Sequence, residues 1–395
     1  MVDSDDADDL VQRDDADDAV DSDDADDAVD SDDADDLVQR DDADGFSHVP
    51  VLRDETVHWI RPVPPGLFVD LTLGGAGHAR AVLDACPHLH LLGLDQDPVA
   101  VAAATTRLAP YGSRARVVHI RSDRLGHALV DDVRVRGAMP VTAILADLGV
   151  SSVQFDESER GFSYRSDAPL DMRMDTSTGR TAAEFVNEAS FVEIADALRI
   201  YGDERFAGRI AKAILANRPV LTTGQLAKVV TNAIPAATRR TGGHPAKRTF
   251  QALRIVVNDE LDVLATMVTA GLDTLAPGGR FVVLSYHSGE DRIVKELFRT
   301  AESGGCSCPS GLPCVCGALP RGRMVRRGVT RPQAAEVAAN PRAASAVARV
   351  FEMAVPGATA PGTASRSETR SSVGPVPPSV VRPEKLGGSD TPSRT

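Results

Sequence analysis

The sequence predicts an α/β fold, in which a mostly parallel sheet carries an inserted all-helical domain. Three observations support this class. Apolar strand-forming runs alternate with helical segments between residues 67 and 147. An aspartate stands at or near the end of three of these strands. A long helical stretch without strand patterns, residues 154–243, interrupts the alternation. Because βα alternation buries a parallel sheet on both faces, we expect ligands at the carboxyl ends of its strands.

An acidic repeat precedes the predicted fold. Residues 3–44 repeat a nine-residue unit such as DSDDADDLV, and residues 1–44 contain 22 Asp and two Arg. So many like charges with so few apolar groups predict a disordered tail over 1–44. A calcium-binding repeat is the alternative, but the glycines that such turns need are missing. We favour a role of the acidic tail in solubility or in intramolecular masking of the remaining, basic residues, whose net charge is +6.

Composition limits the class of protein further. No stretch approaches the roughly 18 apolar residues of a membrane span, and the acidic N-terminus resembles neither a secretory signal nor a transit peptide. The five cysteines are an odd number at low density, which is typical of a reducing compartment. We therefore expect a cytoplasmic protein with no membrane partner, whose mildly basic body suits an anionic partner.

The first part of the sheet follows a short helix at residues 54–60. A strand at 67–71 leads into a glycine turn, and a helix at 78–85 and a second strand at 89–94 follow. The second strand stops on Asp95. A strand, glycine turn, helix, strand and terminal acid are typical of a nucleotide-binding βαβ unit, because the acid can accept hydrogen bonds from ribose hydroxyls.

The glycine turn favours one cofactor over another. Gly75 and Gly77 match the first two glycines of G-x-G-x-x-G, but Arg80 replaces the third. Dinucleotide-binding turns use that third glycine for close helix packing around a pyrophosphate. The turn therefore favours S-adenosylmethionine. An NAD-dependent oxidoreductase, or a turn without a ligand, is the alternative.

The remaining elements complete the predicted sheet and its insert. Further elements are predicted at 98–108 (helix), 116–120 (strand), 124–132 (helix), 141–146 (strand), 181–187, 191–201, 203–217 and 222–233 (helices), 248–269 (helix), 281–285 (strand), 291–300 (helix) and 346–352 (strand). The expected organisation is a tail at 1–44, a first sheet part at 45–153, a helical insert on the substrate side at 154–243, a second sheet part with a Cys/Arg-rich loop at 244–355, and a disordered tail at 356–395.

Asp147, directly after the fourth strand, is the candidate catalytic residue. It opens the segment Asp147-Leu-Gly-Val-Ser-Ser152, where an amino-methyltransferase would hold its target base. The exocyclic amine of cytosine is a poor nucleophile because its lone pair is conjugated with the ring, so catalysis would rest on positioning and charge stabilisation. A capping role, or acceptance of the adenine amine, is the alternative.

Two segments are candidates for substrate binding. A flipped base could stack on Phe162 or Tyr164, although both rings could instead pack the insert. Lys247, Arg248 and Arg254 gather near a helix start that favours phosphate, with a solvated face as the alternative.

Four cysteines and a following arginine cluster form the last candidate region. Cys306, Cys308, Cys314 and Cys316 have the spacing C-x-C-x5-C-x-C. Four thiolates could bind zinc, although structural sites more often use C-x2-C, and reduced or reversibly oxidised thiols are the alternative. The arginines that follow, Arg321, Arg323, Arg326, Arg327 and Arg331, suit a nucleic-acid backbone.

Several longer motifs occur together between residues 46 and 352. They are Asp70-Leu-Thr-Leu-Gly-Gly-Ala-Gly-His78, Leu94-Asp-Gln-Asp-Pro98, Asp147-Leu-Gly-Val-Ser-Ser152, Pro169-Leu-Asp-Met-Arg-Met174, His244-Pro-Ala-Lys-Arg-Thr-Phe-Gln-Ala-Leu-Arg254 and Tyr286-His-Ser-Gly-Glu-Asp-Arg292. Together they resemble the MraW/RsmH family of ribosomal RNA small-subunit methyltransferases.

The resemblance implies a Rossmann-like class I methyltransferase with a helical insert. It implies S-adenosylmethionine-dependent methylation at N4 of a cytidine in the decoding region of 16S ribosomal RNA, either free or in the assembled small subunit. The enzyme would be a monomer or a homodimer. A ribosome-binding assembly factor with a vestigial cofactor site is the non-enzymatic alternative. The implied cofactor contacts are Ala76, Gly77, His78, Asp95, Asp147 and Gln154. Ser122 stands where the family usually has an aromatic residue.

Overall fold

A seven-stranded sheet is the centre of the computed structural model, which describes residues 50–149, 158–236, 244–309 and 315–357. Its strands are β1 (Gly66–Asp70), β2 (Leu89–Asp95), β3 (Ala115–His119), β4 (Val141–Asp147), β5 (Leu275–Ser285), β6 (Gly322–Met324) and β7 (Val347–Met353). The strand order is β3-β2-β1-β4-β5-β7-β6. Strands β1 to β5 pair in parallel, and β7 runs antiparallel to both β5 and β6. The predicted α/β class with a mostly parallel sheet is confirmed.

Helices cover the strands, and alternate side chains of one strand enter two different cores. The described helices are α1 (Arg53–Ile60), α2 (Gly77–Ala85), α3 (Pro98–Leu108), α4 (Leu125–Arg136), α5 (Ala182–Glu188), α6 (Phe191–Gly202), α7 (Ala207–Ala216), α8 (Thr223–Ala233), α9 (Lys247–Asn258), α10 (Glu260–Thr274), α11 (Ser288–Ser303) and α12 (Ala334–Ala339). In β1, Phe68 packs with α1 and α2, whereas Leu67 and Val69 pack with α4 and α10. Both faces of the sheet are therefore buried, as a parallel sheet requires. None of the described helices is long and apolar enough to cross a membrane.

A separate hydrophobic cluster fills the helical segment. Side chains of α5 to α9 form this cluster together with the loop at residues 162–174. Helices α5, α6 and α8 each begin with a capping box, in which a Ser or Thr and a Glu or Gln three residues later bond each other's backbone N–H groups. Helix α9 also contributes to the cluster, through Phe250 and Leu253. The predicted insert boundaries, 154 and 243, fall at residues 150–157 and 237–243, which lie outside the described residues.

The structure differs from the predicted elements in several places. The helix expected over 248–269 is two helices, because α9 ends at Asn258 and α10 begins at Glu260. Asp259 between them has a positive φ of 52°, a left-handed conformation that the short polar side chain of aspartate tolerates better than most. Strand β5 begins at Leu275 rather than near Phe281, and its register with β4 shifts where the Pro-Gly-Gly turn occurs. The short elements β6 and α12 were missed.

Both predicted tails lie mainly outside the described residues. The structure describes nothing before residue 50 or after residue 357. The described residues up to Pro356 belong to one compact unit. The acidic repeat and the C-terminal segment therefore stay predictions from the sequence.

Candidate active site

Three aspartates meet at one edge of the sheet. Asp70, Asp95 and Asp147 are the last residues of β1, β2 and β4. Strand β1 lies between the other two and pairs with both in parallel. The three carboxyl ends therefore point the same way, and the expected ligand site lies at this edge.

The glycine turn after β1 presents the start of α2 to the same edge. Gly74 has a φ of 50° and Ala76 a φ of 62°, so the backbone enters the helix from left-handed conformations. Ala76 is the N-cap and supplies no side-chain cap. The first N–H groups of a helix have no partner within the helix, and its positive end favours an anion. This turn therefore offers backbone donors to a carboxylate or phosphate.

Asp95 is fixed in orientation by the same turn. Its Oδ2 accepts a hydrogen bond of 2.7 Å from the Gly74 N–H, and its Oδ1 accepts one of 2.8 Å from the Asp97 N–H. Burial raises the pKa of Asp95 to about 6, although these hydrogen bonds oppose the increase. Each carboxylate oxygen has a further lone pair. The side chain can therefore accept both hydroxyls of a ribose without losing its protein contacts.

Asp147 is held from two sides and partly exposed. Its backbone N–H donates to Thr72 Oγ1 at 2.6 Å, and its Oδ1 accepts a hydrogen bond of 2.8 Å from the Tyr286 hydroxyl. The side chain is 28% exposed. Burial, and then the neighbouring Asp147 carboxylate, raise the pKa of Tyr286 well above its ordinary value. Tyr286 therefore stays protonated and donates to Asp147 throughout the physiological range.

His78 faces the remaining oxygen of Asp147. Its Nε2 lies 3.5 Å from Asp147 Oδ2, an ion-pair distance. The ring is 6% exposed, and neither ring nitrogen makes a hydrogen bond within the described part of the chain. Buried polar nitrogens usually have a partner. An unsatisfied ring beside the glycine turn therefore points to a polar ligand group at this position.

Asp70 differs from the other two acids in its burial. Its side chain is 1% exposed and its carboxylate accepts a hydrogen bond from the Thr72 N–H. Burial raises the pKa of Asp70 to about 7, while the nearby His78 opposes the increase. Asp70 therefore supports the turn that carries Thr72 rather than facing a ligand.

These residues fit the methionyl carboxylate and the ribose of S-adenosylmethionine. The start of α2, with Gly77 and His78, suits the methionyl carboxylate, and Asp95 suits the ribose. Ser122 is buried just after β3, whose end is joined to β2 by a bond from the Ile120 N–H to the Asp95 carbonyl. The other predicted contact, Gln154, lies outside the described residues.

The predicted base-stacking rings lie in the helical segment. Phe162 is 7% exposed and belongs to the helical cluster, which fits the packing alternative. Tyr164 is partly buried and stacks on His244, with ring centroids 4.3 Å apart and planes 12° apart. Tyr164 and Phe250 form a T-shaped pair, with ring centroids 5.7 Å apart and planes 83° apart. Both rings therefore already pack against other side chains of the protein.

The three predicted basic contacts have different surroundings. Lys247 and Arg248 are exposed at the start of α9, and Arg248 donates to the Asp203 carbonyl at 3.1 Å. Arg254 instead forms a bidentate pair with Glu260, with two N–O distances of 2.8 Å. The prediction of Arg254 as a phosphate contact does not fit this geometry, because its guanidinium is held within the fold.

Arg160 connects the loop at residues 160–174 to the segment directly after β2, a role that the sequence did not indicate. Its Nη1 lies 3.1 Å from the fully buried carboxylate of Asp97, and its Nη2 donates to the carbonyls of Arg173 and Met174 at 3.0 Å. Asp97 is two residues beyond Asp95 and caps α3. The loop at 160–174 is therefore fixed to the strand end that carries the predicted ribose contact.

The comparisons of sequence identify one family. The sequence profile described as the MraW methylase family matches residues 45–354. A protein of Symbiobacterium thermophilum named ribosomal RNA small subunit methyltransferase H is 50% identical over 77% of this chain and 96% of its own length. A protein of the same name from Acidothermus cellulolyticus is 51% identical over 77% of this chain and 93% of its own length. Among solved structures, a rRNA methylase from Streptococcus thermophilus matches with a TM-score of 0.34 and 10% identity, over 77% of this chain and 94% of that one.

Proposed function

The chain belongs to the MraW methylase family, and from this premise we propose that it methylates small-subunit ribosomal RNA at N4 of a cytidine in the decoding region of 16S RNA. Its fold is that of the class I methyltransferases and its cofactor is S-adenosylmethionine. The observation that carries the proposal is the Asp147 carboxylate, which is fixed by Tyr286 and partly exposed beside the glycine turn.

The residues of the glycine turn and β2 would hold the cofactor. When bound, S-adenosylmethionine supplies an electrophilic methyl group on a sulfonium. The backbone N–H groups at Gly77 and His78 would bind the methionyl carboxylate, and Asp95 would accept the ribose hydroxyls. Asp147, at the end of β4, is partly exposed at the same edge of the sheet.

Asp147 would orient the target amine. The cytosine amine has two N–H donors and a lone pair that is conjugated with the ring. Asp147 Oδ1 accepts from Tyr286, and Oδ2 lies 3.5 Å from His78 Nε2, so a remaining lone pair of Oδ2 would accept the amine N–H beside that ring. Such a bond would hold the nitrogen in line with the methyl group and stabilise the positive charge that develops on it.

Basic residues on two segments would bind the RNA backbone. Lys247 and Arg248 are exposed at the start of α9, where the helix N-terminus also favours phosphate. Arg326, Arg327 and Arg331 are exposed after β6. These side chains would position the RNA without reading its sequence.

Methyl transfer to small subunits tests the proposal. Purified enzyme should transfer label from methyl-labelled S-adenosylmethionine to subunits from a strain that lacks the gene. Mass mapping should place the methyl group on N4 of one cytidine. Label on another nucleotide would contradict the N4 assignment, and subunit binding without turnover would indicate an assembly factor instead.

Substitutions of the aspartate–tyrosine pair test the role of Asp147. Asp147→Asn should reduce kcat by about 100-fold or more, because the amide presents a donor to the amine. Tyr286→Phe should reduce kcat by about tenfold and leave the KM for the cofactor unchanged, as a positioning residue would. Tyr111→Phe is the matched control, since Tyr111 donates to the exposed Asp84 at 2.6 Å, at the far end of α2. An equal effect of both tyrosine changes would contradict the proposed role.

A further inference from the structure

Three cysteine sulfurs converge in the loop between α11 and β6. The Sγ atoms of Cys306, Cys308 and Cys316 lie within 4.8 Å of one another. Those of Cys306 and Cys316 are 3.6 Å apart. Ten residues of chain separate these two cysteines, so the loop itself must bring them together.

Hydrophobic burial does not account for this convergence. None of the described residues at 304–309 and 315–320 is buried, and Val315 is 88% and Leu319 81% exposed. The two ends of the loop meet closely, because a Cβ on Gly304 would lie 2.4 Å from the Leu319 carbonyl carbon. Beyond that closed base, the described residues have no apolar core to order them.

The sulfur separations fit a metal better than a covalent bridge. A disulfide joins its sulfurs at about 2.05 Å, far below the 3.6 Å between Cys306 and Cys316. Sulfurs around a tetrahedral zinc ion, each about 2.3 Å from the metal, are about 3.8 Å from one another. A single S–H···S hydrogen bond would join only two thiols, whereas a third sulfur lies within the same small volume.

We propose that Cys306, Cys308 and Cys316 are thiolate ligands of a structural zinc ion. Binding would release the thiol protons and replace the missing core of the loop with metal–sulfur bonds. The sequence supplies a further thiol, Cys314, which lies outside the described residues. The site would be distinct from the methyl-transfer site, and its loop leads directly into β6 and the exposed arginines that follow.

Metal analysis of the full chain tests this proposal. Protein purified under reducing conditions from zinc-containing medium should carry about one zinc ion per chain. Replacement of zinc by cobalt should give the sulfur-to-metal charge-transfer absorption of a thiolate site. Cys306→Ser and Cys316→Ser should each lower the zinc content at least tenfold, and Cys86→Ala should leave it unchanged, because Cys86 is buried in the core of the sheet domain.

Three results would overturn the proposal. One is a wild-type chain without zinc whose four loop thiols react freely with an alkylating agent. Another is a pair of loop cysteines that resist alkylation after chelation but react after reduction, which would indicate a disulfide. The third is full zinc retention in a Cys306→Ser/Cys316→Ser double variant that keeps the circular dichroism spectrum of the wild type.

Discussion

At the residue scale, burial separates three chemically identical side chains into different roles. Asp70 is enclosed and its pKa is raised to about 7, so it is largely protonated below neutral pH. Asp95 is oriented by two backbone N–H groups and has a pKa of about 6. Asp147 keeps a side chain that is 28% exposed. The residue types alone predicted a site at the strand ends, but only their surroundings show which carboxylate is buried and which is partly exposed.

Cofactor affinity should fall in acid because of Asp95. The raised pKa means that the unliganded side chain takes up a proton as the pH falls through about 6. The protonated form has lost one of its acceptors for the ribose hydroxyls. The Kd for S-adenosylhomocysteine should therefore rise about tenfold between pH 7 and pH 5, as measured by isothermal titration calorimetry.

The Asp95→Asn variant is the control for this titration. It should bind S-adenosylhomocysteine weakly at every pH, and its Kd should change much less with pH than that of the wild type. If the Kd of the variant changes with pH as much as that of the wild type, another group controls the pH dependence. Asp70, with a pKa of about 7, would then be the first residue to substitute.

Tyr286 shows why part of the site could not be found from the sequence. The motifs around Asp70, Asp95 and Asp147 were readable because each acid ends an apolar run. The bond from the Tyr286 hydroxyl to Asp147 joins residues 139 positions apart. Nothing in either segment specifies that β4 and β5 are neighbours, so this contact needed the strand order.

At the scale of elements, the break at Asp259 explains how Arg254 comes to pair with Glu260. In one continuous helix, residues 254 and 260 would lie on widely separated faces, since six residues turn the helix by about 600°. The left-handed conformation of Asp259 ends that helix and lets Arg254 reach Glu260. The capping boxes of α6 and α8 are local patterns of sequence, whereas this break is not, because aspartate alone does not specify a positive φ.

Asn258, the last residue of α9, should be a major stabilising contact of the loop at residues 160–174. Its Oδ1 accepts from the Met174 N–H at 2.8 Å, and its Nδ2 donates to the Met172 and Arg254 carbonyls. Asn258→Ala would leave buried backbone groups of the loop unsatisfied. The free energy of unfolding should fall by about 1–3 kcal/mol, as measured by urea denaturation.

Asn217→Ala is the matched control for this change. The exposed amide of Asn217 donates to the Ala213 carbonyl of its own helix, so its loss should alter the free energy of unfolding by less than about 0.5 kcal/mol. Equal urea midpoints for the two variants would show that the Asn258 bonds do not hold the loop.

At the scale of the whole molecule, the class of fold followed from the sequence but the sheet order did not. Continuous apolar runs such as 67–71 and 141–146 predicted a parallel sheet. Strands that are covered on both faces lack the alternation of apolar and polar residues that is typical of strands with one solvent-exposed face. The short β6 depends on pairing with β7 rather than on its own apolar content, so a local pattern could not reveal it. The charge distribution, by contrast, is fully a property of the sequence and leads to a prediction for the intact chain.

The acidic repeat should weaken RNA binding by competing for the basic surface. Residues 1–44 carry 22 Asp and two Arg, whereas the other 351 residues have a net charge of +6. Deletion of 1–44 should therefore tighten binding to small-subunit RNA by about tenfold at 50 mM salt, and by much less at 300 mM, where screening shortens the reach of charge. Filter binding across this salt range would measure both effects.

A chain in which Asn replaces each Asp of the repeat should match the deletion, because it keeps the length and removes the charge. If the deletion and the Asn chain both bind as the wild type does at every salt concentration, the repeat does not mask the RNA surface, and solubility would be the remaining explanation for its charge.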